Sequence, residues 1–261
     1  MRTPYALAAT ALLAAACSLP AAAPETTVEP AAAGGWSYAG PTAPAFWSSL
    51  GYPQCTGPRQ SPVNLPALPF AAPLRVSVTY PVTYPGHLAN NGHTVGLLLP
   101  NTTAALHVAD STFTFKEMHF HVPAEHTVQG GRAAAEIHTV HTERGGDAAV
   151  LTTFVRAGDH NPAWEALIAN LPGNKDDSHP LSSVNLTALL GLQHLPREAV
   201  YSYAGSLTTP ECTPRVHFII RQEPIVLSTA QIEALASAFP RNVRPVQTGT
   251  TSRIILHRGG S

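Results

Sequence analysis

Residues 115–127 read FKEMHFHVPAEHT. Apolar and polar side chains alternate here, the period of a β-strand with one buried face. On such a strand His119 and His121 project from the same side, about 6.5–7 Å apart. Two imidazoles so placed suit one metal ion, and a third ligand must then come from another element. Residues 133–142, AAAEIHTVHT, carry His138 and His141 on opposite faces of a second alternating segment, with Glu136 and Val140 on the face of His138. Turn residues within 123–131 make the two strands candidates for antiparallel neighbours. Three neutral imidazoles with one open position describe a catalytic zinc site; a structural one is closed and rich in cysteine. A His-x-His pair equally suits the polar face of an amphipathic strand, and these residues alone leave both readings open. Protease patterns fit worse. There is no His-Glu-x-x-His, and His121…Glu125-His126 has one residue too many for the inverted motif.

Outward from this centre, strand signals dominate. Residues 74–80 (LRVSVTY), 94–99, 111–122 and 216–221 (VHFIIR) have β character, and 148–156 (AAVLTTFVR) is an apolar run suited to a buried strand. Helical patterns are brief: 162–171, and 229–238 with Ser228 or Thr229 as its cap. The 25 prolines and 19 glycines among 261 residues favour many turns over long helices. The pattern predicts a mainly β domain, a large central sheet with short peripheral helices. No internal repeat or second linker divides it.

Lys and Arg number 15 against 16 Asp and Glu, a net charge of -1 that argues against a nucleic-acid partner. Charged residues make up 12%, about half the usual share, yet at 44% hydrophobic the chain is no disordered polymer. Thirteen histidines point towards metal or proton chemistry.

Arg2 followed by the apolar stretch 6–16 reads as a signal peptide, too short to span a bilayer. Ala14-Ala15-Ala16-Cys17 resembles a lipoprotein site that would lipidate Cys17, with Ala in place of the usual Leu; ordinary cleavage near Ala23 is the other reading. Both imply export, to the periplasm or beyond, with membrane attachment only through a lipid on Cys17. Residues 18–35 read as a flexible tether and 36–258 as one folded body. With Cys17 in the leader, Cys55 and Cys212 remain, and in an oxidising compartment two leftover cysteines usually pair.

The chain resembles the α-class carbonic anhydrases of the bacterial, exported type. WSY at 36–38, CTGPRQSPVNL at 55–65, NNGH at 90–93, HFHVPAEHT at 119–127, AEIHTVH at 135–141, GSLTTPEC at 205–212 and NVRPVQ at 242–247 occur in family order. The resemblance implies a ten-stranded, mostly antiparallel twisted sheet. It also implies a lyase that hydrates carbon dioxide reversibly to bicarbonate and a proton by attack of zinc hydroxide.

It implies roles residue by residue. His119, His121 and His138 match the Zn²⁺ ligands. Thr208 matches the hydroxyl that bonds the nucleophile, Glu125 the acid that orients it, and Thr209 the same wall. His93 matches the proton shuttle, with Tyr38 and Asn91 ordering the connecting waters. Val140, Val150 and Leu207 match the apolar pocket for carbon dioxide, a substrate with no charge to grip. Cys55 and Cys212 match the family disulfide. Glu136 matches the partner of His138, and the backbone of Asn242 that of His121. Zinc makes hydroxide available near neutral pH by lowering the pKa of bound water to about 7, the value known for carbonic anhydrases. Sulfonamides and small anions are the implied inhibitors, and a monomer or dimer is expected.

Several positions depart from the family. Glu117 stands where Gln is usual, Gly96 where a polar residue is, Phe218 where Trp is, Glu211 where Pro is and Pro214 where bacterial members have Glu. His126, His141, His160, His179 and His217 read as structural or surface residues, and Arg244 as a tie for the C-terminal segment. The alternative to catalysis is a non-catalytic binding module of the same fold, or a zinc carrier. Such relatives lack a zinc histidine or the Thr–Glu pair, and this chain keeps both.

Overall fold

A computed structural model describes residues 35–259; the expected leader, Cys17 and nearly all of the tether lie outside them. The strands, in chain order, are β1 (Asn64–Leu65), β2 (Val76–Thr79), β3 (Tyr84–Asn90), β4 (Val95–Leu98), β5 (Ala105–Val108), β6 (Ser111–His121) and β7 (Thr127–Val128). They continue as β8 (Ala135–Thr142), β9 (Ala148–Ala157), β10 (Ser178–Val184), β11 (Val200–Ser206), β12 (Pro214–Arg221), β13 (Ile225–Leu227) and β14 (Ile255–His257). Three short helices accompany them: α1 (Glu165–Ala169), α2 (Leu186–Leu190) and α3 (Thr229–Ser237).

Twelve strands form one sheet whose main path runs β10-β3-β4-β6-β8-β9-β12-β11-β14. The pairings are antiparallel except for β12 and β13, which each run parallel to β9. The sheet is thus mostly antiparallel as expected but has twelve strands rather than ten, because three-residue strands such as β13 and β14 extend it. β3 and β10 escape sequence reading because each contains a proline, and β3 also a glycine, residues that argue against a strand interior. The predicted helix 162–171 is a 3₁₀ turn at Pro162–Trp164 running into α1. For α3 the cap is Ser228, whose side chain accepts from the Gln231 N–H while the Gln231 side chain accepts from the Ser228 N–H.

Strand β6 does not alternate without interruption. Phe113 and Phe115 face the large core, and so do Met118 and Phe120, so the buried parity changes from odd to even. A register shift against β8 between Phe115 and Glu117 inserts the extra residue, leaving Lys116 exposed. One residue of slip moves every later side chain to the other face. Because of it Glu117, His119 and His121 leave the core side.

The large core lies on that core side and includes Trp164, Phe120, Leu97 and Ile219. A second apolar cluster, with Val150, Tyr203 and Phe218, lies on the histidine side. Cys55 and Cys212 are disulfide-bonded, with an S–S distance of 2.00 Å, and pack on Trp47 in a third cluster. No helix among the described residues is long and apolar enough to cross a membrane.

Candidate metal centre

Sheet register assembles the site. His119 on β6 lies opposite His138 on β8 and opposite Gly96 on β4. One step along, Glu117 lies opposite Val140, which lies opposite Val150 on β9, which lies beside Phe218 on β12. Two cross-strand rows on one face therefore set imidazoles next to an apolar wall. His121 joins the first row from two residues further along β6.

One ring nitrogen from each of His119, His121 and His138 lies within 4.8 Å of the other two, and His119 Nε2 and His121 Nε2 are 3.1 Å apart. The outward nitrogens are all engaged. His119 Nδ1 donates to Glu117 Oε1 at 2.7 Å, His121 Nδ1 to the Asn242 carbonyl at 2.7 Å, and His138 Nε2 to Glu136 Oε1 at 2.6 Å. Each bond fixes a tautomer and leaves the inward nitrogen's lone pair free, the arrangement metal-ligating histidines adopt. Burial and neighbouring His119 push His121 down to about 3, and burial puts His138 at about 4, so both are neutral at ordinary pH. Burial would lower His119 too, but the charge and hydrogen bond of Glu117 outweigh it and hold it above the usual histidine value. Three inward nitrogens on neutral or hydrogen-bonded imidazoles fit a borderline-soft divalent cation such as Zn²⁺.

Behind the triad, Glu136 is shared. Its Oε1 also accepts from His126 Nδ1 at 2.6 Å, and its Oε2 accepts the N–H groups of Glu125 and His126. Burial alone would raise this carboxyl; His126 and His138 outweigh it and keep it well below the carboxylate range. His126 Nε2 pairs in turn with the Tyr203 hydroxyl at 2.6 Å, and that hydroxyl donates to Ser61 Oγ at 2.9 Å. Sequence reading left His126 without chemistry; only the fold shows it one hydrogen bond from the acid that orients His138.

Glu125 is fully buried, which raises its carboxyl. Its Oε1 accepts the Arg244 N–H at 2.8 Å, while Oε2 lacks a well-formed hydrogen bond and has His121 Nε2 at 3.5 Å; the Thr208 hydroxyl interacts with this carboxyl and opposes the rise. The Arg244 guanidinium donates to the carbonyls of Ser61 and Cys55 and to Gln60, and lies 5.5 Å above the Trp47 ring. It ties the acid to the disulfide region, a wider role than the expected tie for the C-terminal segment. The Cys212 N–H donates to the Thr209 carbonyl at 2.7 Å, which anchors the turn that carries Thr208.

A cavity of about 400 Å³ opens beside His119 and His121; His138, Thr208 and the expected pocket residues Val140, Val150 and Leu207 are not among its lining residues. His119, His121, Thr209 and Glu117 line its inner part, and Ala89, Gly96 and Leu98 its β3–β4 wall. Trp36, Tyr38, Asn91, His93 and Thr94 complete the lining. The His93 ring stacks on Trp36 with centroids 3.8 Å apart. Asn91 Oδ1 accepts the N–H groups of His93 and Thr94, so its carboxamide shapes the loop that holds His93. Burial and the nearby Lys175 charge lower the pKa of His93. Nothing in the sequence signals Lys175, whose stem packs over Gly92, at a φ of +83°. Val140 and Leu207 are half-buried against the second cluster and Val150 is buried within it, while Thr208 is buried beside Glu125. Phe218, in place of Trp, stacks on Tyr203 at 5.0 Å and meets the His138 ring edge-on at 5.8 Å. Pro214 and Glu211 are exposed.

Residues 42–255 match the family model described as eukaryotic-type carbonic anhydrase. The chain belongs to this family. Carbonic anhydrases are lyases, and hydration of carbon dioxide is their general activity. The carbonic anhydrase of Klebsiella pneumoniae is 35% identical over 218 residues, covering 81% of this chain and 87% of that protein. That of a Nostoc species is 33% identical, covering 81% and 82%. Among solved structures, the α-carbonic anhydrase of Thermovibrio ammonificans, in complex with the inhibitor sulfanilamide, superposes with a TM-score of 0.78 at 32% identity, over 85% of this chain and 98% of that one. Dioscorin complexed with ascorbate superposes equally well, TM-score 0.78 at 25% identity, over 86% and 98%.

Proposed function

We propose that this chain is a Zn²⁺-dependent enzyme that interconverts carbon dioxide and bicarbonate, with His93 passing the proton between cavity and solvent. The observation that carries the reading is the triad: three imidazole nitrogens converge while every outward nitrogen is held by Glu117, Asn242 or Glu136. His119, His121 and His138 would hold the ion, which supplies acidity to water and hence a nucleophile near neutral pH. Half-buried Val140 and Leu207, in one apolar cluster with buried Val150, would offer carbon dioxide an apolar surface. The Thr208 hydroxyl, beside the buried Glu125 carboxyl, is set to donate that carboxyl a hydrogen bond and accept one from the attacking group, which aims its lone pair at the substrate. The His93 imidazole lies on the cavity wall, half-buried, where it can take a proton from cavity water and release it outward. Tyr38 and Asn91 flank that route.

The Cys55–Cys212 disulfide supports an oxidising compartment, and we read the chain as exported, with residues 1–17 as its leader. Sulfonamides are the inhibitor class that fits such a centre.

The test is stopped-flow carbon dioxide hydration by the purified protein as isolated, after zinc removal and after zinc is restored. Activity should vanish and return with the metal. His93→Ala should slow turnover in weak buffer and recover on adding imidazole. A folded protein with one bound zinc and no hydration would overturn the reading.

A further inference from the structure

Among the described residues, Glu117 is the one acid that lines the cavity wall, and no Lys or Arg lines it. The other carboxylates near the triad are spent elsewhere: Glu125 on the Arg244 backbone and Glu136 between His126 and His138. Glu117 uses Oε1 for His119, while Oε2 forms no hydrogen bond or ion pair among the described residues. Its side chain keeps 31% exposure, against 16% for His119. Across from it Gly96 adds no side chain, and a Cβ built there would stand 3.5 Å from Oε2, ordinary contact distance. Any larger polar residue at 96 would cover that oxygen. Glycine leaves it facing the cavity.

We infer that Glu117, uncovered by Gly96, makes the cavity a charge filter: it disfavours anionic ligands at the triad and favours neutral ones. The inference rests on the proposed metal reading. A metal on His119 Nε2 would lie about 7 Å from Glu117 Oε1, given the span of an imidazole and a metal–nitrogen bond of about 2 Å. Two charges that close, in a partly desolvated cavity, interact appreciably. An anion held at the metal would lie at a comparable distance from the Glu117 carboxylate and be repelled by it, whereas uncharged carbon dioxide would not. Lys175, the nearby cation at the loop of His93, lies outside the lining residues and leaves Oε2 unpaired.

The probes are thiocyanate, an anion, and 1,2,4-triazole, which stays uncharged when a ring nitrogen lends its lone pair to a metal. Zinc-loaded protein is titrated calorimetrically at about pH 6, below the range in which hydroxide forms. Two variants remove the charge differently. Glu117→Gln keeps an acceptor for His119, and Gly96→Lys leaves Glu117 intact while placing a cation beside Oε2. Both should bind thiocyanate about three- to tenfold more tightly than the unaltered protein, with triazole affinity changed less than twofold. Thiocyanate affinity that is unchanged or weaker in either variant overturns the inference, as does equal tightening of both probes. Metal analysis beforehand separates the two claims: a protein that retains no zinc defeats the metal reading before any anion is added.

Discussion

Glu117 stands one hydrogen bond behind His119, where an anionic partner makes the imidazole a stronger donor to any metal it holds. More electron density from the ligand leaves the metal less able to acidify water. The Glu117→Gln variant should therefore show a pH–rate profile with its midpoint at lower pH than the unaltered protein. Superimposable profiles in stopped-flow assays would sink that argument. His119 and His121 were legible at this scale because strand alternation puts a His-x-His pair on one side, whereas His138 was singled out over His141 only by the family resemblance. His126 was not, since its chemistry is a bond to Glu136 ten positions on, which only the paired strands bring within 2.6 Å. Lys175 shares that condition: its effect on His93 comes from a loop docked by hydrogen bonds between Asn90 and residues 176 and 177.

Along β6 the decisive element is the bulge at Lys116. Without it the parity that buries Phe113 and Phe115 would bury His119 and His121 as well, and Met118 and Phe120 would face the cavity. Strand character was readable from the alternation, but the interruption was not, because a bulge is set by pairing with β8. Strand β11 carries a tighter constraint. A Cβ at Gly205 would come within 2.2 Å of Ser61 Oγ and 2.7 Å of the Tyr203 ring, the end of the chain that runs through His126 to Glu136. Gly205→Ala should cost about 1–3 kcal/mol by overpacking. For a body of this size that lowers Tm by several degrees. A Tm within one degree of the unaltered protein in a thermal melt would show that the sheet absorbs the methyl freely.

Over the whole molecule, stability rests on one continuous sheet with apolar clusters on its faces and a disulfide that bridges residues 157 positions apart. The chain-entropy account gives such a bridge about 5 kcal/mol as an upper figure. A different contribution is pH-dependent. His141 is fully buried, shares a 2.7 Å hydrogen bond with the Tyr80 hydroxyl, and is pushed by burial down to about 4. The unfolded chain takes up a proton there near pH 6.5 and the folded one does not, so acid favours unfolding. That stability is present above about pH 6.5 and fades as pH falls towards 4, by ~3 kcal/mol in all. In metal-free protein, His141→Phe should flatten the decline of unfolding free energy between these limits. Parallel curves for the two proteins would exclude His141 as the source.

The amino-acid sequence by itself determined the β class, the pair of metal-side histidines on one strand, and the motifs that mark the family. Those signals are local: a period of two, turn residues, and short runs of fixed spacing. Tertiary structure decided which faces meet. Pairing of β4, β6, β8 and β9 put His138 beside His119 and Val140 beside Glu117. It also left Gly96 across from a carboxylate oxygen that nothing covers. Register between strands distant in sequence is fixed by the burial of whole faces, a cooperative property that no single segment carries.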